Sequence, residues 1–152
     1  MRRLRILSGL LALGAIAVAA PLTPAEAGPV LITEAEAKLP PPKGAFAVAT
    51  RGITRGPKIE YLADTGATKS PIRLRVKFES FGGAKIDPDS LKVTYLKSPS
   101  VDLTDRIKPF IQPTGIDMPD ATLPPGDHSL RVDVKDSDGR VATSSFVLKV
   151  AP

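Results

Sequence analysis

The side chains best suited to chemistry in this 152-residue chain are few: one histidine, His128, a set of carboxylates, two methionines and no cysteine. Asp127, His128 and Ser129 together hold the three residue types of a hydrolytic triad. A triad needs its base beside the nucleophile and oriented by the acid. Consecutive residues of an extended segment point to opposite faces and cannot form that geometry. No second histidine supports the first, and no G-x-S-x-G elbow appears. His128 therefore reads as a structural or surface histidine, and hydrolase chemistry is set aside. A glycosidase working with carboxylates alone needs two of them about 5–10 Å apart in a cleft. Small β-sandwiches rarely supply such a cleft, so the chain is read as non-enzymatic.

Metal sites fare similarly. With no cysteine there is no thiolate ligand and no disulfide. His128 and Met118 alone are too few ligands for a tight copper site. Asp136-Ser137-Asp138-Gly139 begins like a calcium loop, with Asp133, Asp87 and Asp89 as further oxygens. Calcium takes about six to eight oxygens at one point. Ser145 stands where such a loop places its closing glutamate. The four residues are better explained as an Asp-capped turn. No metal and no cofactor is expected.

That turn joins the two clearest strands. Leu130, Val132 and Val134 alternate with Arg131, Asp133 and Lys135; Phe146, Leu148 and Val150 repeat the pattern. A period of two buries one face and wets the other, as in antiparallel sandwiches. Pro124-Pro125-Gly126 stops pairing before the first of them. Upstream, Lys58–Ala63 reads as a strand. So does Ile72–Ser80, with Ile72, Leu74, Val76 and Phe78 inward and Arg73, Arg75, Lys77 and Glu79 outward. Leu91–Leu96 is a third strand. Val101–Ile111 holds a helical turn, with Leu103, Ile107 and Phe110 on one face and Pro109 limiting its length. Ile116–Leu123 reads as a short edge strand. Short strands at regular spacing predict an all-β antiparallel sandwich of about seven strands over residues 57–152.

Residues 1–27 form a secretory signal: Arg2, Arg3 and Arg5, the apolar run Ile6–Ala20, and the small-x-small site Ala25-Glu26-Ala27. The run is short of the roughly 20 residues a membrane span needs, so cleavage and no stable membrane insertion are expected. The address is periplasmic or secreted. Residues 28–56 read as an extended N-terminal arm. Thr33 and Glu36 match a capping box, Pro40-Pro41-Pro42 imposes an extended path, and Phe46, Val48 and Ile53 are sparse apolar anchors.

Charge is uneven. Without residues 1–27 the chain keeps 18 Lys plus Arg against 15 Asp plus Glu. Nine basic residues between Lys38 and Lys77 face only Glu60 and Asp64, whereas from Lys85 onward nine basic residues meet ten acidic ones. Arg73, Arg75 and Lys77 share one strand face. With Arg51, Arg55 and Lys58 they make a candidate basic stripe, suited to an envelope protein or an anionic glycan or lipid. Nucleic acid is not expected for an exported chain whose basic residues carry no interleaved aromatics.

Two stretches resemble known proteins. Ile86-Asp87-Pro88-Asp89-Ser90-Leu91-Lys92-Val93 with Val101-Asp102-Leu103-Thr104 is similar to the middle strands of bacterial immunoglobulin-like domains. Leu123-Pro124-Pro125-Gly126-Asp127-His128-Ser129-Leu130 with the Asp136–Gly139 turn is similar to their closing hairpin. The resemblance implies an immunoglobulin-like sandwich, which hosts many functions. There is no Trp and no Cys pair, so it is not of the antibody type. The closing strands also loosely resemble periplasmic copper-binding proteins of the CopC type. In that family a histidine follows Ser-Asp-Gly and another begins the mature chain; Arg140 and Gly28 stand at those places here. The expectation is a non-enzymatic periplasmic or cell-envelope binding or structural module. The alternative is a copper- or calcium-binding protein on the same fold.

Overall fold

The computed structural model describes residues 28–44, 56–62 and 68–152. They form two packed β-sheets. One has the order β1 (Lys58–Tyr61), β3 (Ile72–Glu79), β7 (Gly115–Ala121), β6 (Ile111–Gln112). The other has the order β2 (Thr68–Lys69), β9 (Val141–Ala151), β8 (Gly126–Asp136), β4 (Ile86–Tyr95), β5 (Val101–Asp102). All these pairings are antiparallel except the short parallel contact of β2 with the end of β9. The chain therefore starts in one sheet at β1 and crosses to the other at β2.

Alternation does the sorting. Along β3 the inward residues Ile72, Leu74, Val76 and Phe78 are buried while the charged residues between them are not. β8 buries His128, Leu130, Val132, Val134 and Asp136 in the same manner. Leu74, Val76, Ile116 and Met118 of one sheet join Leu91, Val93, Tyr95, Leu130, Val132 and Leu148 of the other in one continuous core. Burying each such apolar side chain stabilises the fold by about 1.5–3 kcal/mol before conformational entropy is counted.

Three expectations are corrected. Ile116–Leu123 is not an edge strand. β7 pairs with β3 along most of its length and with β6 at its start. Gly115 makes the close approach to β3 possible: its φ is +153°, and a Cβ there would lie 2.0 Å from the Val76 carbonyl oxygen. β4 begins at Ile86 rather than Leu91, because its Asp-Pro-Asp-Ser stretch is a bulge inside the strand. Its register with β8 shifts between Asp87 and Lys92. Within the bulge the Asp87 carboxylate accepts the Asp89 N–H at 3.1 Å, and the Ser90 hydroxyl donates to the Asp87 carbonyl at 2.7 Å.

The third correction concerns the start of the expected arm. Leu31 and Ile32 are fully buried in the shared core. Val30 bridges to Thr122, and the Leu31 N–H donates to the Thr122 carbonyl at 3.0 Å, so this stretch continues the pairing of β7. The helical turn α1 (Glu34–Ala37) carries the expected capping box between Thr33 and Glu36. Arg106, on the helical turn α2 (Thr104–Ile107), clamps it: its guanidinium meets both Glu36 carboxylate oxygens at 2.7 and 2.8 Å and the Leu31 carbonyl at 2.8 Å. The remainder of the expected arm, residues 45–55, lies outside the described residues, as do residues 1–27 with the expected signal. Among the described residues no helix is long and apolar enough to cross a membrane.

Candidate functional site

The buried polar groups come first, since buried titratable groups often mark active sites. Among the described residues these are His128 and Asp136. His128 Nε2 meets the Pro124 carbonyl at 2.8 Å, and Nδ1 meets the Tyr95 hydroxyl at 2.9 Å. A carbonyl only accepts, so Nε2 carries the proton; neutral Nδ1 then accepts from the Tyr95 hydroxyl. Burial lowers the pKa of His128, in keeping with a neutral ring. Both nitrogens are engaged, leaving neither a base nor a ligand lone pair on offer. Met118 is fully buried in the core.

Asp136 sits with its side chain wholly shielded, and its carboxylate is filled by its own hairpin turn. Oδ1 accepts the Asp138 N–H at 3.0 Å and the Arg140 N–H at 2.9 Å, and Oδ2 takes Arg140 Nε at 2.9 Å. Burial pushes this carboxyl up, but the Arg140 and Asp138 hydrogen bonds and the Arg140 charge outweigh it, and the pKa is lowered. The other oxygens considered for calcium are also engaged: Asp87 by the Asp89 N–H, Asp133 by Arg131 and Thr143. Arg140 pairs with Asp136 and Asp138. Among the described residues no three His, Asp or Glu side chains group as a metal site.

The charged face of the β1–β3–β7 sheet is different. Arg73, Arg75 and Lys77 project outward from β3, and Lys58 lies across from Glu79 on β1. Arg51 and Arg55, the other members of the expected stripe, lie outside the described residues. Carboxylates interleave the four described cations. Arg73 makes a two-pronged pair with Asp117 of β7 at 2.9 and 2.7 Å. Lys77 reaches Glu79 at 2.8 Å, while Lys58 lies 3.4 Å from Glu60 and 3.8 Å from Glu79. Arg75 stands directly opposite Asp117 in the register. The Arg73 hydrogen bond holds the Asp117 carboxyl below the usual carboxylate range, and Lys77 does the same to Glu79. Among the described residues the face is a mosaic of alternating sign. Glu79 was legible as an outward residue of its strand. Asp117 was missed as a member of the face because only the pairing of β3 with β7 brings it there. Its sequence signal is its place between the inward residues Ile116 and Met118.

A shallow open groove of about 330 Å³ lies elsewhere, between the bulge of β4 and the α2 turn, with Pro88, Asp89, Leu91, Asp105, Lys108 and Ile111 among its lining. It combines apolar floor and mixed charge without a cluster of reactive groups.

No protein-family model matches the chain, and no curated protein matches it in sequence. Among solved structures it is similar to CopC from Methylosinus trichosporium OB3b, at 17% identity, over 62% of this chain and 95% of that chain, with a TM-score of 0.39.

Proposed function

We propose that this chain is an exported, non-enzymatic recognition module on an immunoglobulin-like sandwich, and that it binds a protein partner through the outer face of the β1–β3–β7 sheet. The observation that carries the reading is the gathering of Lys58, Arg73, Arg75 and Lys77 with Glu60, Glu79 and Asp117 on one exposed face. Alternating charge discriminates between partners by pattern and speeds encounter. It suits a complementary protein surface better than a uniform polyanion, which the three carboxylates would repel. The strand order supports the fold family. Sheets of order β1-β3-β7-β6 and β2-β9-β8-β4-β5 correspond to the A-B-E-D and G-F-C arrangement of immunoglobulin domains, with the first strand shared between sheets. The basic, apolar and small-residue segments of residues 1–27 support export to the periplasm. The engaged nitrogens of His128 and the filled carboxylate of Asp136 speak for a structural role and against the metal-binding alternative.

The test is crosslinking of the protein in its own periplasm, wild type beside an Arg73→Ser, Arg75→Ser, Lys77→Ser variant. A defined protein partner captured by the wild type and lost by the variant is expected. A partner retained by the variant overturns the surface assignment. Capture by anionic vesicles in place of any protein transfers it to lipid.

A further inference from the structure

Residues 30–42 are fastened to the sandwich in two parts, by two kinds of force. The first part is apolar: Leu31 and Ile32 are fully buried. The second part is held by polar contacts. Glu36 is gripped by Arg106, the Ala37 carbonyl accepts from Lys97 Nζ at 2.9 Å, and the Pro40 carbonyl accepts the Ser98 N–H at 3.0 Å. Two of these three fastenings come from residues just beyond Tyr95, the last residue of β4. Lys97 also stands over the Tyr95 ring, its Nζ 5.5 Å from the ring centre. The Tyr95 hydroxyl in turn donates to His128 Nδ1 at 2.9 Å. A continuous chain of contacts therefore runs from His128 through Tyr95 and Lys97 to the Ala37 carbonyl.

We propose that this chain of contacts is an acid-released latch: protonation of His128 frees residues 33–42 from the sandwich while Leu31 and Ile32 stay anchored. Protonated Nδ1 is a donor and no longer an acceptor. The Tyr95 O–H then loses its partner, and a buried hydroxyl left without one is costly. A second cation also forms close to Lys97. The titratable and charged groups around His128 are Tyr95 and Lys97, Asp127 beside it on β8 with Lys149 opposite on β9, and Glu36 of α1, whose charge reaches Tyr95. Burial, and to a smaller extent the Lys97 charge, oppose the proton; the Pro124 carbonyl and Asp127 favour it. The least costly relief is withdrawal of Lys97 into water. That gives up the Ala37 carbonyl and opens the Tyr95 hydroxyl to solvent. Parting β8 from β4 or β9 would break long ladders instead. Local openings of this kind need less free energy than global unfolding.

The test is hydrogen exchange of the full chain, read by mass spectrometry as protection factors from about pH 7.5 to about pH 5. The lower limit keeps Glu36 ionised, since its pKa is about 2. The amides of residues 37–39 and of Ser98, all hydrogen-bonded in this segment or to it, are followed against those of β3 and β7. The first set is expected to lose protection about tenfold over this range, while the second changes by less than about twofold. In His128→Gln the first set is expected to keep its protection throughout. Lys97→Met breaks the chain of contacts, so protection is expected to start lower and no longer to fall with acid. Constant protection of residues 37–39 and Ser98 in the wild type overturns the proposal. So does a fall shared equally by β3 and β7, or one that His128→Gln repeats. Should His128→Gln fail to fold, an acid-induced fall in Lys97→Met as large as that of the wild type overturns it.

Discussion

The Tyr95 hydroxyl and His128 Nδ1 meet at 2.9 Å inside the core, joining β4 to β8. The pair accounts for the single histidine without invoking catalysis. It also locks the segment before β8, since Nε2 holds the Pro124 carbonyl.

Removing either partner strands the other. Tyr95→Phe leaves buried Nδ1 without a donor and is expected to cost about 1–3 kcal/mol. His128→Ala adds a cavity and is expected to cost somewhat more, about 2–4 kcal/mol. Urea unfolding of both variants checks the order.

Acid should weaken the same locus. The folded-state pKa of His128 lies below its unfolded value near 6.5, so the unfolded chain binds the extra proton first. The stabilisation is complete above about pH 6.5 and declines as pH falls toward the lowered folded value. Melting temperatures from pH 7.5 to 5.5 should fall for the wild type and fall less for His128→Gln.

Arg106 and Glu36 fasten residues 28–44 to the sandwich. The Arg106 hydrogen bonds lower the Glu36 pKa from 4.5 to about 2. That contribution is present above about pH 4.5, the unfolded value, and is lost as pH falls through the folded one. Because the pair is partly exposed, screening reduces it, and Arg106→Ala is expected to cost about 1–2 kcal/mol. Limited proteolysis should cut that variant near α1 before the wild type.

The Asp136 carboxylate organises the β8–β9 turn. Asp136→Ala leaves two backbone N–H groups and the Arg140 guanidinium without their acceptor and is expected to cost about 2–4 kcal/mol. Micromolar calcium or copper should leave the wild-type melting temperature unmoved, since a tight ligand stabilises in proportion to RT ln(1 + [L]/Kd). An upward shift of a degree or more with either metal would revive the metal alternative.

The strands with strict alternation were legible in the sequence. β3, β8 and the second half of β9 carry their core-facing residue at every second position, and the helical turn after Val101 follows from Leu103 and Ile107. Less local features were not. β7 looked like an edge because Asp117, Pro119 and Asp120 dilute its apolar face, and its long pairing depends on β3, some forty positions away. Leu31 and Ile32 are too brief an apolar run to signal burial, although the capping box beside them marks where the chain is pinned. The same distance dependence hid the true character of the charged face. Its cations lie close together in sequence, whereas Asp117 reaches them only through the β3–β7 register.

The most direct measurement exchanges the members of one cross-strand pair: Arg73→Asp combined with Asp117→Arg. The swap keeps an ion pair on the sheet but sets an arginine directly opposite Arg75, and is expected to cost about 1 kcal/mol, leaving the chain folded. It inverts the charge pattern that a partner would meet. Crosslinking in the periplasm should then lose the protein captured by the wild type while a cooperative melting transition shows that the variant stays folded. Capture of the same protein at wild-type yield would contradict recognition through this face.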